Sequence, residues 1–364
     1  MKNVITIFNQ LLNLIPYNKF QQAVEEYNGD RFTKKFTSFH HFITLFYAQI
    51  TEKDSLRDIE NPINIQKSKL QFFSLPDIKR STLAEANNKR DYRIFEKLFY
   101  TLLDKTTNLT PKHNFKFKNP LYSIDSTTIN LCLSLFDWAK FRKRKGAIKI
   151  HTKLNHNGNI PDFLTITDGK CSDIRAAKEN FSFMPDSIAV MDKGYIDFKW
   201  FYTLNKQGVF FVTRAKENMF YEVIGQQDFT QGTGVISDET IMLRHDKSLT
   251  DYPERLRLVK YYDIKANKVY SFLTNNFKLA AKTIADIYKS RWQIELFFKW
   301  IKQNLKIKSF LGTSKNAVMS QIWVAMTVYL LVCYIKFQTK SKLTILEFTR
   351  ILRATLFQRI ALID

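Results

Sequence analysis

IAVMDKGY, residues 188–195, decides the fold. Four apolar residues in a row stop at Asp192, and Lys193 and Gly194 follow at once. A short, wholly apolar run closed by turn-forming residues is the pattern of a strand buried on both faces, as in a sheet covered by helices. LYSIDSTT, residues 121–128, repeats the arrangement: an apolar, strand-like run over Leu121–Ile124 ends at Asp125, and small hydroxyl residues follow. A carboxylate at the end of a central strand faces the crevice where α/β sheets bind ligands. Two such carboxylates on neighbouring strands can converge on one hard cation, which takes oxygen ligands. Each context by itself is also an ordinary turn signal.

Working outward, Ile148–Leu154 and Phe163–Thr167 read as strands, Ala176–Phe183 and Phe198–Asn205 as helices, and Val209–Thr213 as a further strand. Strands first, then strands alternating with helices, predict an α/β sheet of mixed pairing. Residues 216–265 break the rhythm: Gly225, Gly232 and Gly234 punctuate the stretches Tyr221–Ile224, Glu239–Leu243 and Leu256–Tyr262. This is a β-rich insertion. Val269–Thr274 resumes the core, and Ala280–Leu305 reads as one long helix without Gly or Pro. Upstream the pattern is helical, with Phe42, Leu45, Phe46 and Ile50 on one face and Thr82 and Glu85 at the spacing of a capping box. LTPKHNFKFKNP, residues 109–120, reads as a linker. The expected domains are a helical DNA-binding segment (1–115), an α/β catalytic domain (116–315) with the insertion at about 216–265, and C-terminal helices (316–364).

Charge points towards nucleic acid as the partner. The 364 residues carry 56 Lys and Arg against 34 Asp and Glu, a formal net charge of +22. Such an excess suits phosphate neutralisation and counterion release, although charge alone also fits a basic solvated surface. KFRKRKGAIK, residues 140–149, makes Arg142, Arg144 and Lys149 backbone-contact residues, or else a solvated loop. Cys132, Cys171 and Cys333 are scattered and form no C-x-x-C pair, which predicts a reduced protein without a disulfide framework. The N-terminal MKNVITIFNQLLNLIP is an amphipathic helix and not a secretory leader. The apolar run Ile322–Ile335 falls short of the roughly 18 residues of a membrane span and reads as a buried helix, so no membrane partner is expected.

The centre of the long helix reads YKSRWQIELFFKWIK, residues 288–302. At roughly 100° per residue, Tyr288, Arg291, Glu295 and Lys302 fall within a stripe roughly 60° wide on an otherwise apolar helix. A polar stripe on a buried helix must line something wet or charged. Arg291 and Glu295, four apart, would also make an ordinary helix ion pair, but that leaves Tyr288 and Lys302 on the stripe unexplained.

With these residues in hand, the chain resembles the DDE transposases of insertion-sequence family four. That family's signature is Tyr, two residues, Arg, three residues, Glu, six residues, Lys, and Tyr288, Arg291, Glu295 and Lys302 match every spacing. IDSTT at 124–128 and DKGY at 192–195 resemble the contexts of the family's two Asp residues, and KGAIKIHTKLNHNGNIP at 145–161 resembles its second and third strands. The resemblance implies a ribonuclease-H-like mixed sheet flanked by helices, with the β-rich insertion between the second Asp and the Glu. It implies that Asp125, Asp192 and Glu295 are catalytic and hold Mg²⁺ or Mn²⁺, two ions. It further implies that Tyr288, Arg291 and Lys302 contact DNA. The reaction implied is cleavage at the ends of an insertion sequence and joining of the 3′-OH to target DNA, by a homodimer on double-stranded DNA in the bacterial cytoplasm, at the nucleoid, with no small-molecule substrate. The alternatives are a nuclease of the same fold and an inactive basic DNA-binding protein. Some relatives hold a flipped base with a Trp of the insertion; residues 205–275 contain none, which leaves Phe220, Tyr221, Phe229, Tyr252, Tyr261 and Tyr262 as stand-ins.

Overall fold

The computed structural model describes residues 5–132, 134–142, 145–304 and 310–362, without the side chains of residues 71, 72, 140–142, 145 and 304. In order the chain forms α1 (Ile7–Asn13), α2 (Tyr17–Glu26), α3 (Ser38–Ile50), α4 (Leu56–Ile65), α5 (Arg80–Lys89), α6 (Arg93–Thr107), β1 (Leu121–Leu131), β2 (Lys140–Arg142), β3 (Lys145–Asn155), β4 (Ile160–Asp168), α7 (Asp173–Asn180), β5 (Ile188–Met191), α8 (Phe198–Lys206) and β6 (Phe210–Arg214). Then come β7 (Tyr221–Gln226), β8 (Val235–Leu243), α9 (Asp246–Asp251), β9 (Leu256–Asp263), β10 (Lys268–Thr274), α10 (Ala281–Ser290), α11 (Trp292–Asn304), α12 (Lys315–Gln338) and α13 (Ile345–Thr355). These elements gather into two compact units. One comprises Met1–Pro111, Ile129–Ala147 and Lys299–Asp364; the other comprises Lys112–Thr128 and Ile148–Phe298.

The second unit is built on one sheet with strand order β4-β3-β1-β5-β6-β10-β9-β8-β7. β1 runs parallel to β5, and β5 parallel to β6. β3 and β4 pair antiparallel, as do β6 and β10. This is a ribonuclease-H-like mixed sheet with an antiparallel extension: the insertion strands β7, β8 and β9 continue the core sheet through β10. The alternation within β5 and β6 explains why helices cover both faces. Ile188, Val190 and Val212 face α10 through Ala281, Ile284, Ala285 and Ile287. Ala189, Met191 and Phe211 face α7 and α8 through Ala177, Trp200, Phe201 and Leu204. Strands buried on both sides read as unbroken apolar runs, as residues 188–191 do.

A buried ion pair braces the extension. Arg257 of β9 donates to both carboxylate oxygens of Asp238 on β8, at 2.8 and 2.6 Å, and to the carbonyls of Asn276 and Leu279 just ahead of α10. Arg257 is 3% and Asp238 0% exposed, so the guanidinium meets its needs inside the protein.

The first unit is helical. α12 packs against α3, α5, α6 and α13, and residues 317–333 are buried without exception. α12 is longer than the apolar run suggested, 24 residues capped by Ser314. It is long and apolar enough to cross a membrane, yet its most apolar window is wholly buried inside the protein. Phe20, Phe42, Phe46, Phe95, Phe99 and Trp323 fill the surrounding core. Two sequence expectations shift. The helix read at Thr82 starts earlier, at Arg80 with Lys79 ahead of it, so no capping box forms and Glu85 instead pairs with Lys89 at 2.6 Å. The helix read over Ala280–Leu305 divides at Arg291, where the bonds Arg291 N–H to Tyr288 O and Ile294 N–H to Arg291 O shorten the ladder to three residues. Such a tightened turn needs neither Gly nor Pro.

Candidate active site

Asp125 and Asp192 meet through strand pairing. Leu121, Tyr122 and Ser123 of β1 lie opposite Ile188, Ala189 and Val190 of β5. Continuing that register by two residues sets Asp125 across from Asp192, which follows the last residue of β5. The two strands end differently. β1 runs on past Asp125 to Leu131, further than the expected Leu121–Ile124, while the chain turns at Asp192, whose Oδ1 accepts from the Gly194 N–H at 2.8 Å. Gly194 also leaves room for that carboxylate, since a Cβ there would lie 3.0 Å from Asp192 Oδ1.

Glu295 arrives in the first turn of α11. Arg291, at the α10–α11 junction, bonds Glu295 Oε1 at 2.5 Å and Asp125 Oδ2 at 3.4 Å. Its side chain is 15% exposed, so the contact is a sheltered one between the helix acid and the strand acid. The guanidinium also lies over the Tyr288 ring, 5.7 Å from its centroid, and that ring packs on Phe272 at 4.8 Å. Burial pulls the Arg291 guanidinium down, but the bond to Glu295 and the neighbouring Tyr288 and Asp125 hold it above its ordinary value overall.

Burial is the largest influence on Asp125 and pushes its carboxyl up to about 6. The Ser126 N–H and Arg291 work against the rise, and Asp192 and Glu295 add to it. Among the described residues, no three His, Cys, Asp or Glu side chains are already arranged to hold an ion. Arg291 stands as the counter-cation between Asp125 and Glu295. The donor chemistry nonetheless fits a hard divalent ion, with the carboxylate oxygens of Asp125, Asp192 and Glu295 and the unpartnered, buried Tyr195 hydroxyl near Asp125 and Asp192. Burial raises that hydroxyl well above its ordinary range, and the charges of Asp125, Asp173 and Asp192 raise it further.

One acid that the sequence offers only as a weaker candidate, with a surface loop as the default reading, lies beside Asp125. Asp173, the first residue of α7, accepts from Ser126 Oγ at 2.7 Å and Lys149 Nζ at 3.1 Å, with His151 Nδ1 at 3.6 Å. Burial lowers His151 to about 4, which keeps the imidazole neutral. Lys149, expected as an open backbone contact, is 15% exposed and held by Asp173 and the Cys171 carbonyl. Lys302 is half-buried on α11, two turns past Glu295, and falls in the helical unit. The side chain of Arg142 and all of Arg144 lie outside the described residues. Of the aromatic stand-ins, Tyr252 is fully buried against Tyr202 and Phe211 and cannot stack on a base, whereas Phe220 is 67% exposed.

A ribonuclease-H-like mixed sheet, with Asp125 under the influence of Asp192 and Glu295, fits a class of polynucleotide-processing enzymes. The transposase DDE domain family matches residues 116–331, and a domain of unknown function (DUF4372) matches residues 3–73. The chain is 35% identical over 283 residues to the protein named transposase y4zB of Sinorhizobium fredii, covering 76% of this chain and 77% of that one. It is 26% identical to a Geobacillus stearothermophilus protein named as the transposase of insertion sequence element IS5377, over 74% of this chain and 71% of the other. In structure it aligns with piggyBac transposase from a synaptic complex with hairpin DNA, covering 98% of this chain and 81% of that one, at 11% identity and a TM-score of 0.47, too low for comparing parts. The chain belongs to the DDE transposases of insertion-sequence family four, metal-dependent enzymes that cleave and transfer DNA.

Proposed function

We propose that Asp125, Asp192 and Glu295 are the catalytic acids, that they hold Mg²⁺ or Mn²⁺ as two ions, and that the chain cuts DNA at the ends of its insertion sequence and joins the freed 3′-OH to target DNA. The observation that supports this is Arg291, which bonds both Asp125 and Glu295, with Asp192 and Glu295 both acting on Asp125. β1 pairs in parallel with β5 over Leu121–Ser123, and Asp192 follows the last residue of β5. Divalent ions, when bound, supply the electrostatic stabilisation that phosphoryl transfer needs.

The remaining tasks fall to side chains. Arg291 neutralises Asp125 and Glu295 in the free chain; with DNA present it turns its fork to a backbone phosphate, a geometry that guanidinium matches in two parallel bonds. Tyr288, packed on Phe272, fixes the direction of that swing and offers its hydroxyl to the phosphate backbone. Lys302 adds a point charge further along α11, and Arg142 and Arg144 contact the flanking backbone. Lys149 orients Asp173, which fixes Ser126 and with it the backbone beside Asp125. The helical residues 1–115 dock DNA, residues 116–315 carry catalysis, and residues 316–364 close the helical unit. Paired element ends call for a homodimer on DNA, working at the nucleoid in the bacterial cytoplasm.

Asp192→Asn tests the assignment. The variant should bind duplex DNA as tightly as the wild type and lose strand cleavage and strand transfer by at least about 10³-fold, as removal of a metal-holding charge demands. Cleavage at the wild-type rate would remove Asp192 from the site.

A further inference from the structure

The helical unit holds a cleft of about 1050 Å³ lined by Arg31, Phe32, Lys34, Lys35 and Lys79, among others. Phe32 is 89% exposed, more than any other large hydrophobic side chain among the described residues. Its φ of +63° is a backbone conformation that bulky residues rarely adopt. A glycine would sit there without strain, and a polar side chain would avoid the cost of wetting a phenyl ring.

The loop that presents Phe32 is fastened at both ends. Before it, Gly29 fits so closely that a Cβ would lie 2.5 Å from Ile94 and 2.7 Å from the Ser38 hydroxyl. Asp30 Oδ1 accepts from the Ser38 backbone N–H at 2.6 Å and its hydroxyl at 2.8 Å. After it, the buried Arg90 donates to the Phe36 carbonyl and lies over the Phe36 ring. Phe32 is thus the tip of an anchored loop and not a floppy excursion. Other charges of the cleft are already matched, Lys67 with Asp77 and Lys89 with Glu85. Arg31, Lys34, Lys35 and Lys79 form no ion pair with any described residue, and the Arg31 guanidinium lies 4.9 Å from the centre of the Phe32 ring.

An exposed aromatic tip ringed by unpaired cations fits a polyanion with stacked apolar planes inside it. We propose that this cleft docks duplex DNA, with Arg31, Lys34, Lys35 and Lys79 on the phosphates and Phe32 inserted as a wedge at a base step. The inference rests on the transposase reading, which makes duplex DNA the substrate, and it assigns a task to part of the segment matched by a domain of unknown function.

The probe is a duplex copied from the end of the DNA element that encodes the chain, with 2-aminopurine placed at successive positions. Fluorescence anisotropy reads binding, and 2-aminopurine brightening reads unstacking. Wild-type protein should brighten the probe at one step. Phe32→Ala should abolish that brightening and weaken binding about 10-fold, the loss expected for one aromatic–base contact. Phe32→Trp should restore both. Lys34→Ala with Lys35→Ala should weaken binding to any duplex and lower the slope of log K against log salt by about 2. Unchanged melting temperatures, expected for side chains this exposed, exclude unfolding as the cause. If wild-type protein binds the duplex and Phe32→Ala matches it in affinity and brightening, the wedge is wrong and the transposase reading stands. If wild-type protein binds no duplex at all, both fall together.

Discussion

Asp125→Asn distinguishes an acid kept for a ligand from one kept for the fold. Burial raises the Asp125 carboxyl from an ordinary 3.8 to about 6. At about 1.36 kcal/mol for each pH unit, carrying that charge costs the metal-free protein on the order of 3 kcal/mol at pH 8. The sign follows from proton counting. Between roughly pH 4 and 6 the folded state binds a proton that the unfolded chain has released, so this group's contribution to stability falls as pH rises through that window and stays low above it. Asparagine keeps the shape and removes the charge, while Arg291 keeps Glu295 as a partner. Asp125→Asn should therefore be more stable than the wild type by about 2–3 kcal/mol at pH 8 and indistinguishable from it at pH 4. Urea midpoints at the two pH values measure the difference, since a shift at constant slope reports stability. Saturating Mn²⁺ should reverse the order, because an ion bound only by the folded wild type stabilises it by mass action. A variant less stable than wild type at pH 8 would refute the argument: the Asp125–Arg291 contact would then be a net support of the fold.

Two further substitutions probe the frame around the site. Arg291→Gln removes the cation between Asp125 and Glu295, so Mn²⁺ affinity, read from the free-ion electron paramagnetic resonance signal, should rise by about 10-fold while DNA cleavage falls by about 100-fold. A parallel loss of both would make Arg291 a plain structural tie. Arg257→Ala strands the buried Asp238 and the carbonyls of Asn276 and Leu279, and should cost about 3–5 kcal/mol by urea unfolding; a loss under about 1 kcal/mol would mean that water reaches the pair.

What could be read from the sequence followed the range of the interaction. The strand ending at Asp192 was legible because β5 is buried on both faces, and its apolar run is continuous for that reason. The tie between Arg291 and Glu295 was legible because it is one helical turn long. The second hold of Arg291, on Asp125, was not, because it spans 166 residues and exists only after the sheet has formed. Asp173 looked like surface for the same reason: Ser126 and Lys149 reach it from two different strands. The division of the long helix at Arg291 left no mark either, since a tightened turn there requires no special residue. Phe32 escaped notice among the many phenylalanines because its backbone angle and its exposure have no sequence pattern.

The burial of α12 sets a timetable for synthesis. The helices α3, α5 and α6 that it packs against have all been synthesised by Thr107, but α12 begins only at Lys315. At roughly 5–20 residues per second, translation takes about 10–40 s to cover the interval. Throughout that time the early helices present an aromatic-rich face with its covering missing. Nascent chains should therefore recruit holding chaperones through this face, and the helical unit can close only after α12 itself has been made.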